Sequence, residues 1–114
     1  MAIIYHNPRC GTSRKVLQAL QDRGHPVEIV EYLKQPLSRE ALAKLIADAG
    51  LTVREAVRSK EALYSELGLD DPAVSDDALL QAMEAHPILM NRPFVVTEKG
   101  TRLCRPAEAV ESIL

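Results

Sequence analysis

The chain is poor in the residues that announce many functions. Its 114 residues include two cysteines, one phenylalanine and no tryptophan. An aromatic content of 4% excludes the stacking platforms that hold single-stranded nucleic acid or sugars. A formal charge of −2 leaves no general basic field for nucleic acid. No apolar run approaches membrane-spanning length, so no membrane partner is expected. Met1-Ala2-Ile3-Ile4-Tyr5-His6 lacks the charged start and long apolar stretch of a signal peptide. Hydrophobic residues make up 46% of the chain, enough for a core without disulfide staples. Together these features predict a cytoplasmic protein with reduced thiols.

Familiar site motifs are missing as well. A dithiol redox pair needs a second cysteine three residues after Cys10, where Ser13 stands. The phosphatase loop needs an arginine six residues after the cysteine, where Val16 stands. Zinc needs three or four close ligands, which Cys10, Cys104 and scattered histidines do not supply, so no metal is expected. There is no Walker loop and no dinucleotide fingerprint, and no bound cofactor is expected.

What is present centres on Tyr5-His6-Asn7-Pro8-Arg9-Cys10-Gly11-Thr12-Ser13-Arg14. The apolar run Ala2-Ile3-Ile4-Tyr5 before it predicts a strand. Ser13 to Arg23 after it has Val16, Leu17 and Leu20 at helical spacing. Pro8 and Gly11 punctuate the turn between them. Cys10 is therefore expected at or just before a helix N-terminus. Unpaired N–H groups and the positive dipole end favour a thiolate there, and also an oxyanion beside it. His6, Arg9 and Arg14 push the same way if they lie close. Free cysteines are often inert and buried, but a polar loop rich in arginine is no core environment. Thr12 and Ser13 are candidate helix caps that also hydrogen-bond the thiolate.

The remaining chain predicts an α/β protein. Gly24 suits the end of the first helix. Pro26 to Tyr32 alternates as a second strand, giving a βαβ unit with parallel strands. Helices follow over Pro36 to Asp48, from Val53, over Lys60 to Leu67, and from Ser75 to Ala85. Thr52 and Glu55 have capping-box spacing. Phe94-Val95-Val96-Thr97 and Thr101-Arg102-Leu103-Cys104 predict a β-hairpin. Pro106 opens a final helix whose Ala109, Val110, Ile113 and Leu114 dock on the sheet. The order is βαβ, a helical insertion at about 36–87, then ββα. That is the thioredoxin-like plan with a mixed sheet, read as one domain over 1–114.

A lone thiol needs an anion clamp from elsewhere. Arg92 precedes Pro93 and Arg105 precedes Pro106, each held on stiff backbone next to the hairpin. Arg58 ends the short middle helix. Guanidinium groups grip tetrahedral oxyanions bidentately and stay charged.

His6-Asn7-Pro8-Arg9-Cys10-Gly11-Thr12-Ser13-Arg14, His86-Pro87-Ile88-Leu89-Met90-Asn91-Arg92-Pro93 and Gly100-Thr101-Arg102-Leu103-Cys104-Arg105-Pro106 together resemble the glutaredoxin-coupled arsenate reductases. Val53-Arg54-Glu55-Ala56-Val57-Arg58 resembles them too. The resemblance spans nearly the whole chain. It implies Cys10 as nucleophile, Arg58, Arg92 and Arg105 as oxyanion ligands, and His6 as a neighbour that keeps the thiolate. It also implies a cis Arg92–Pro93 bond. Its activity would be reduction of arsenate to arsenite, with glutathione as co-substrate and glutaredoxin as partner, in a monomer. Two other readings of the residues stand beside it. One is a glutathione-dependent thiol transferase without an oxyanion substrate. The other is a redox regulator that binds RNA polymerase, which the missing thiol at Ser13 disfavours. Cys104 reads as a half-buried strand residue or, less simply, a resolving thiol.

Overall fold

Strand β1 (Ala2–His6) lies at the middle of a four-stranded sheet with β2 (Val27–Glu31), β3 (Phe94–Thr97) and β4 (Gly100–Leu103). The order across the sheet is β2-β1-β3-β4. β1 and β2 run parallel, with Ala2 opposite Val27 and His6 opposite Glu31. β3 is antiparallel to both β1 and β4. The computed structural model describes residues 1–114. They divide into two units, Met1–Gln35 with Arg92–Leu114, and Pro36–Asn91.

In the first unit, the period of two along β1 turns Ala2, Ile4 and His6 inward. Ala2 and Ile4 join Val16 and Leu20 of helix α1 (Gly11–Asp22), Val95 of β3, Cys104, Val110 and Ile113 in one apolar cluster. Each fully buried Val, Leu or Ile side chain there contributes roughly 1.5–3 kcal/mol. His6 shares the inward face but sits at the strand's carboxyl end, where the core gives way to the site. Arg23 caps the C-terminus of α1, and Gly24 follows with φ of 73°, a conformation that glycine adopts without a Cβ clash.

Several features differ from the expectations above. β2 alternates in sequence, yet Ile29 is 44% exposed. The strand is an edge, so only one neighbour covers it. The last helix is a 3-10 helix over Ala107–Ile113, with Pro106 at its N-cap rather than within its first turn. Three residues per turn eclipse positions i and i+3. The docked residues are therefore Ala107, Val110 and Ile113, with Leu114 after them as expected, and Ala109 does not belong to this set. Arg92–Pro93 is cis, and so is Arg105–Pro106, which was not anticipated.

The second unit is helical. α2 (Arg39–Asp48), α3 (Val53–Ala56), α4 (Ala62–Glu66) and α5 (Asp76–Ala85) are followed by a 3-10 turn at Pro87–Leu89. Ser38 and Ser75 accept from the N–H groups of Ala41 and Ala78, and Thr52 with Glu55 forms a full capping box. Leu42, Leu45 and Ile46 of α2 and Leu79, Leu80 and Met83 of α5 are buried, as the helical spacing predicts. Arg54 donates to Tyr64 Oη and to the carbonyls of Leu69 and Asp71. That fan ties the segment after α4 to α3.

Candidate active site

The thiol loop is shaped by a residue whose role the sequence reading did not identify. Asn7 is buried and serves the turn with three groups. Its carbonyl accepts from Cys10 N at 3.0 Å. Its side-chain Oδ1 accepts from Arg9 N at 3.0 Å. Its own N–H donates to Ser13 Oγ at 3.1 Å. An Asn before Pro is a turn signal, which was the available hint.

This turn places Cys10 at the N-cap of α1 with extended φ and ψ of −90° and 120°. Thr12 and Ser13 fall at the second and third helical positions, so neither hydroxyl caps the helix as the sequence reading expected. Ser13 Oγ instead turns inward, to Asn7 N and to His6 Nδ1 at 2.7 Å. The Ser13 N–H is left to the Cys10 sulfur, where a cap acceptor ordinarily sits.

Two arginines complete the surroundings of the sulfur. Arg105 Nη1 donates to Cys10 Sγ at 3.6 Å and to the Arg92 carbonyl at 2.9 Å. The Arg92 side chain, 6% exposed, also hydrogen-bonds the thiolate. Burial pushes the Cys10 thiol up, but the Ser13 N–H, Arg105 and Arg92 together bring it below its ordinary value. The arrangement favours the thiolate form of Cys10 at the start of a helix, with two guanidinium groups beside it.

The other residues singled out in the sequence are distributed differently. His6 is buried, and burial, the leading cause, lowers its pKa despite Glu31 nearby. It holds Ser13 as a neutral ring and is no cation at the sulfur. Arg14 bonds the Pro8 carbonyl at 2.9 Å, and Arg9 is exposed. The lowered thiol thus draws on Arg105 and Arg92 rather than on His6, Arg9 and Arg14. Arg58 belongs to the second unit, where its N–H donates to the Leu89 carbonyl at 2.7 Å and its Nε lies 3.4 Å from Glu61. Cys104 is fully buried just after β4, and burial pushes its thiol up to about 12. It is a core residue rather than a half-buried strand residue, and a poor resolving thiol. No cluster of three or more His, Cys, Asp or Glu residues is placed to hold a metal ion. No helix is long and apolar enough to cross a membrane.

Comparison with known proteins adds chemistry to this geometry. Residues 5–113 match the ArsC family. An arsenate reductase of Rhizobium meliloti (strain 1021) is 59% identical over 111 residues, covering 97% of this chain and 79% of the relative. An arsenate reductase of Escherichia coli (strain K12) is 51% identical over the same shares. Among solved structures, an arsenate reductase from Vibrio cholerae superposes with a TM-score of 0.94 at 45% identity, covering 99% of this chain and 97% of that one. The shared fold is thioredoxin-like.

Proposed function

This chain belongs to the ArsC family and reduces arsenate to arsenite, and from that premise we propose how its own residues carry the reaction. Cys10 is the nucleophile. Its thiolate attacks arsenic(V), an arsenic–sulfur bond forms, and an oxygen leaves as hydroxide or water. Arg105 and Arg92 neutralise the oxygens as charge builds on them. Arg58 joins as a third ligand on the family resemblance alone. Ser13, Thr12 and His6 support the thiolate from the helix start.

Regeneration comes from outside. Glutathione thiolate attacks the Cys10 sulfur of the adduct. The arsenic–sulfur bond breaks with its electron pair going to arsenic, which falls from the pentavalent to the trivalent state. A mixed disulfide between Cys10 and glutathione remains. A glutaredoxin thiolate then takes the glutathionyl group and frees Cys10. The lack of a thiol at position 13 and the burial of Cys104 support this need for external thiols. A reducing cytoplasm suits such a cycle, and one copy of the chain carries all the residues named.

The observation that carries the reading is Arg105 Nη1 at 3.6 Å from Cys10 Sγ, which joins nucleophile and anion ligand in one site. The test is arsenate-dependent NADPH oxidation coupled through glutathione reductase and glutaredoxin. Cys10→Ser should abolish it, and Arg105→Met should lower kcat/KM by at least tenfold. Turnover by Cys10→Ser, or full activity with glutathione omitted, would overturn the proposal.

A further inference from the structure

Beside the thiol loop lies a concavity of about 420 Å³ lined by Asn7, Pro8, Arg9, Glu31, Leu33 and Lys34. The arsenate site does not use it. Its volume falls within the range of small-molecule clefts, ~300–1,000 Å³. One wall is the turn that leads directly into Cys10, with Asn7 O accepting from Cys10 N. The other wall is the end of β2 and the residues after it. A ligand lying here therefore sits against the turn that carries Cys10.

The lining has a distinctive charge pattern. Arg9 and Lys34 supply two cations, and Glu31 supplies one anion. Leu33 is 40% exposed and offers, with Pro8, an apolar patch between the charges. Lys34 meets Glu31 at 3.7 Å, and the Lys34 side chain is 78% exposed. Such an exposed contact holds little energy, so a ligand can replace it at small cost.

We propose that this concavity is the subsite for the external thiol, a short peptide with two carboxylates, one ammonium group and a central cysteine, which is the chemistry of glutathione. Arg9 and Lys34 take the carboxylates, Glu31 takes the ammonium group, and Leu33 with Pro8 packs against the methylene stems. The peptide sulfur is then presented at Cys10. Asn7 fixes the Arg9 backbone through Oδ1 at 3.0 Å, so that the cation is carried on a defined turn. This assignment deepens the function proposed above and depends on glutathione being its reductant.

The test isolates the thiol step from arsenate. The Cys10 thiolate attacks one sulfur of glutathione disulfide. The S–S bond breaks, one half joins Cys10 as a mixed disulfide, and the other half leaves as a thiolate with the electron pair. The same reaction with bis(2-hydroxyethyl) disulfide, which is neutral, serves as reference. The readout is the ratio of the two second-order rate constants. The wild-type chain should favour glutathione disulfide. In the Arg9→Ala/Lys34→Ala double variant the ratio should fall about fivefold to tenfold, the effect of losing two exposed charge contacts. High salt should shrink the difference between the proteins. A ratio equal in both proteins, or no preference in the wild-type chain, would overturn the subsite. Failure of the broader reading is separately visible, as arsenate turnover by the wild-type chain that does not respond to glutathione.

Discussion

Replacing Arg105 by Met is the perturbation that most directly probes the active thiolate. Arg105 Nη1 stands 3.6 Å from Cys10 Sγ. Two unit charges at ~4 Å interact by ~4 kcal/mol at an effective dielectric of ~20. Hydrogen bonds to charged groups contribute a smaller net amount, ~1.5–3 kcal/mol. The guanidinium charge is delocalised and Cys10 is partly exposed, so screening reduces this further, to about 1.5 kcal/mol. At about 1.4 kcal/mol per pKa unit, the Cys10 thiol should rise by about one unit. The Ser13 N–H and Arg92 still act on the thiol, so the loss of thiolate stabilisation should be partial. Arg105→Lys should fall between, since an ammonium keeps the charge without the planar guanidinium whose Nη1 donates to both the sulfur and the Arg92 carbonyl. The assay is the pH dependence of alkylation by iodoacetamide, with Cys104 silent in the folded core. The same change has a stability consequence. A native thiol with a lowered pKa binds fewer protons than the unfolded chain between the two pKa values. Stability therefore rises with pH through that window and is lost as pH falls through the native value. Arg105→Met should flatten that slope. An unmoved alkylation midpoint in a folded Arg105→Met protein would refute the assignment of Arg105 as a thiolate partner.

Cys104→Ala should retain arsenate turnover and cost about 1–2 kcal/mol in urea unfolding, since it empties a fully buried side-chain position. Because burial raises the Cys104 thiol to about 12, the native chain holds that proton after the unfolded chain has lost it, so wild-type stability should fall above the ordinary thiol pKa. The alanine variant should lack this alkaline loss. Ser13→Ala should cost ~1–3 kcal/mol, because it strands the Asn7 N–H and the His6 ring. It should move the Cys10 pKa little, because the Ser13 N–H that favours the thiolate remains; a shift larger than that of Arg105→Met would contradict this division. His6 titrates below its ordinary 6.5 in the fold. The stability it contributes is therefore full above pH 6.5 and lost as pH falls toward the native value. His6→Asn should remove that acid slope in a series of unfolding curves.

Local signals in the chain specified most of the elements. The strand before the thiol, the helix after it and the caps at Ser38, Thr52 and Ser75 each follow from residues a few positions apart. Cys10 at a helix start was legible for the same reason, because Pro8 and the apolar period beginning at Val16 bracket it. The end of the chain was less legible. Its apolar residues fit an α-helical face at Ala109, Val110, Ile113 and Leu114 and equally a 3-10 stripe at Ala107, Val110 and Ile113. Spacing alone does not separate these, and packing against the sheet decides between them.

The sequence by itself determined a lone thiol at a helix N-terminus, a mixed α/β order and arginines set before prolines. Those features are governed by turn chemistry, capping and periodicity, which act over a few residues. Only the tertiary structure decided which cations reach the sulfur. Arg105 meets Cys10 across 95 residues of chain, because β1 and β3 pair side by side and β4 returns along β3. It also turned Ser13 inward, made His6 a neutral support and sealed Cys104 in the core. Each of these depends on what packs against a side chain from a distant segment. Arg9 and Arg14 lie next to Cys10 in sequence, but it is the sheet order that carries Arg92 and Arg105 to the sulfur.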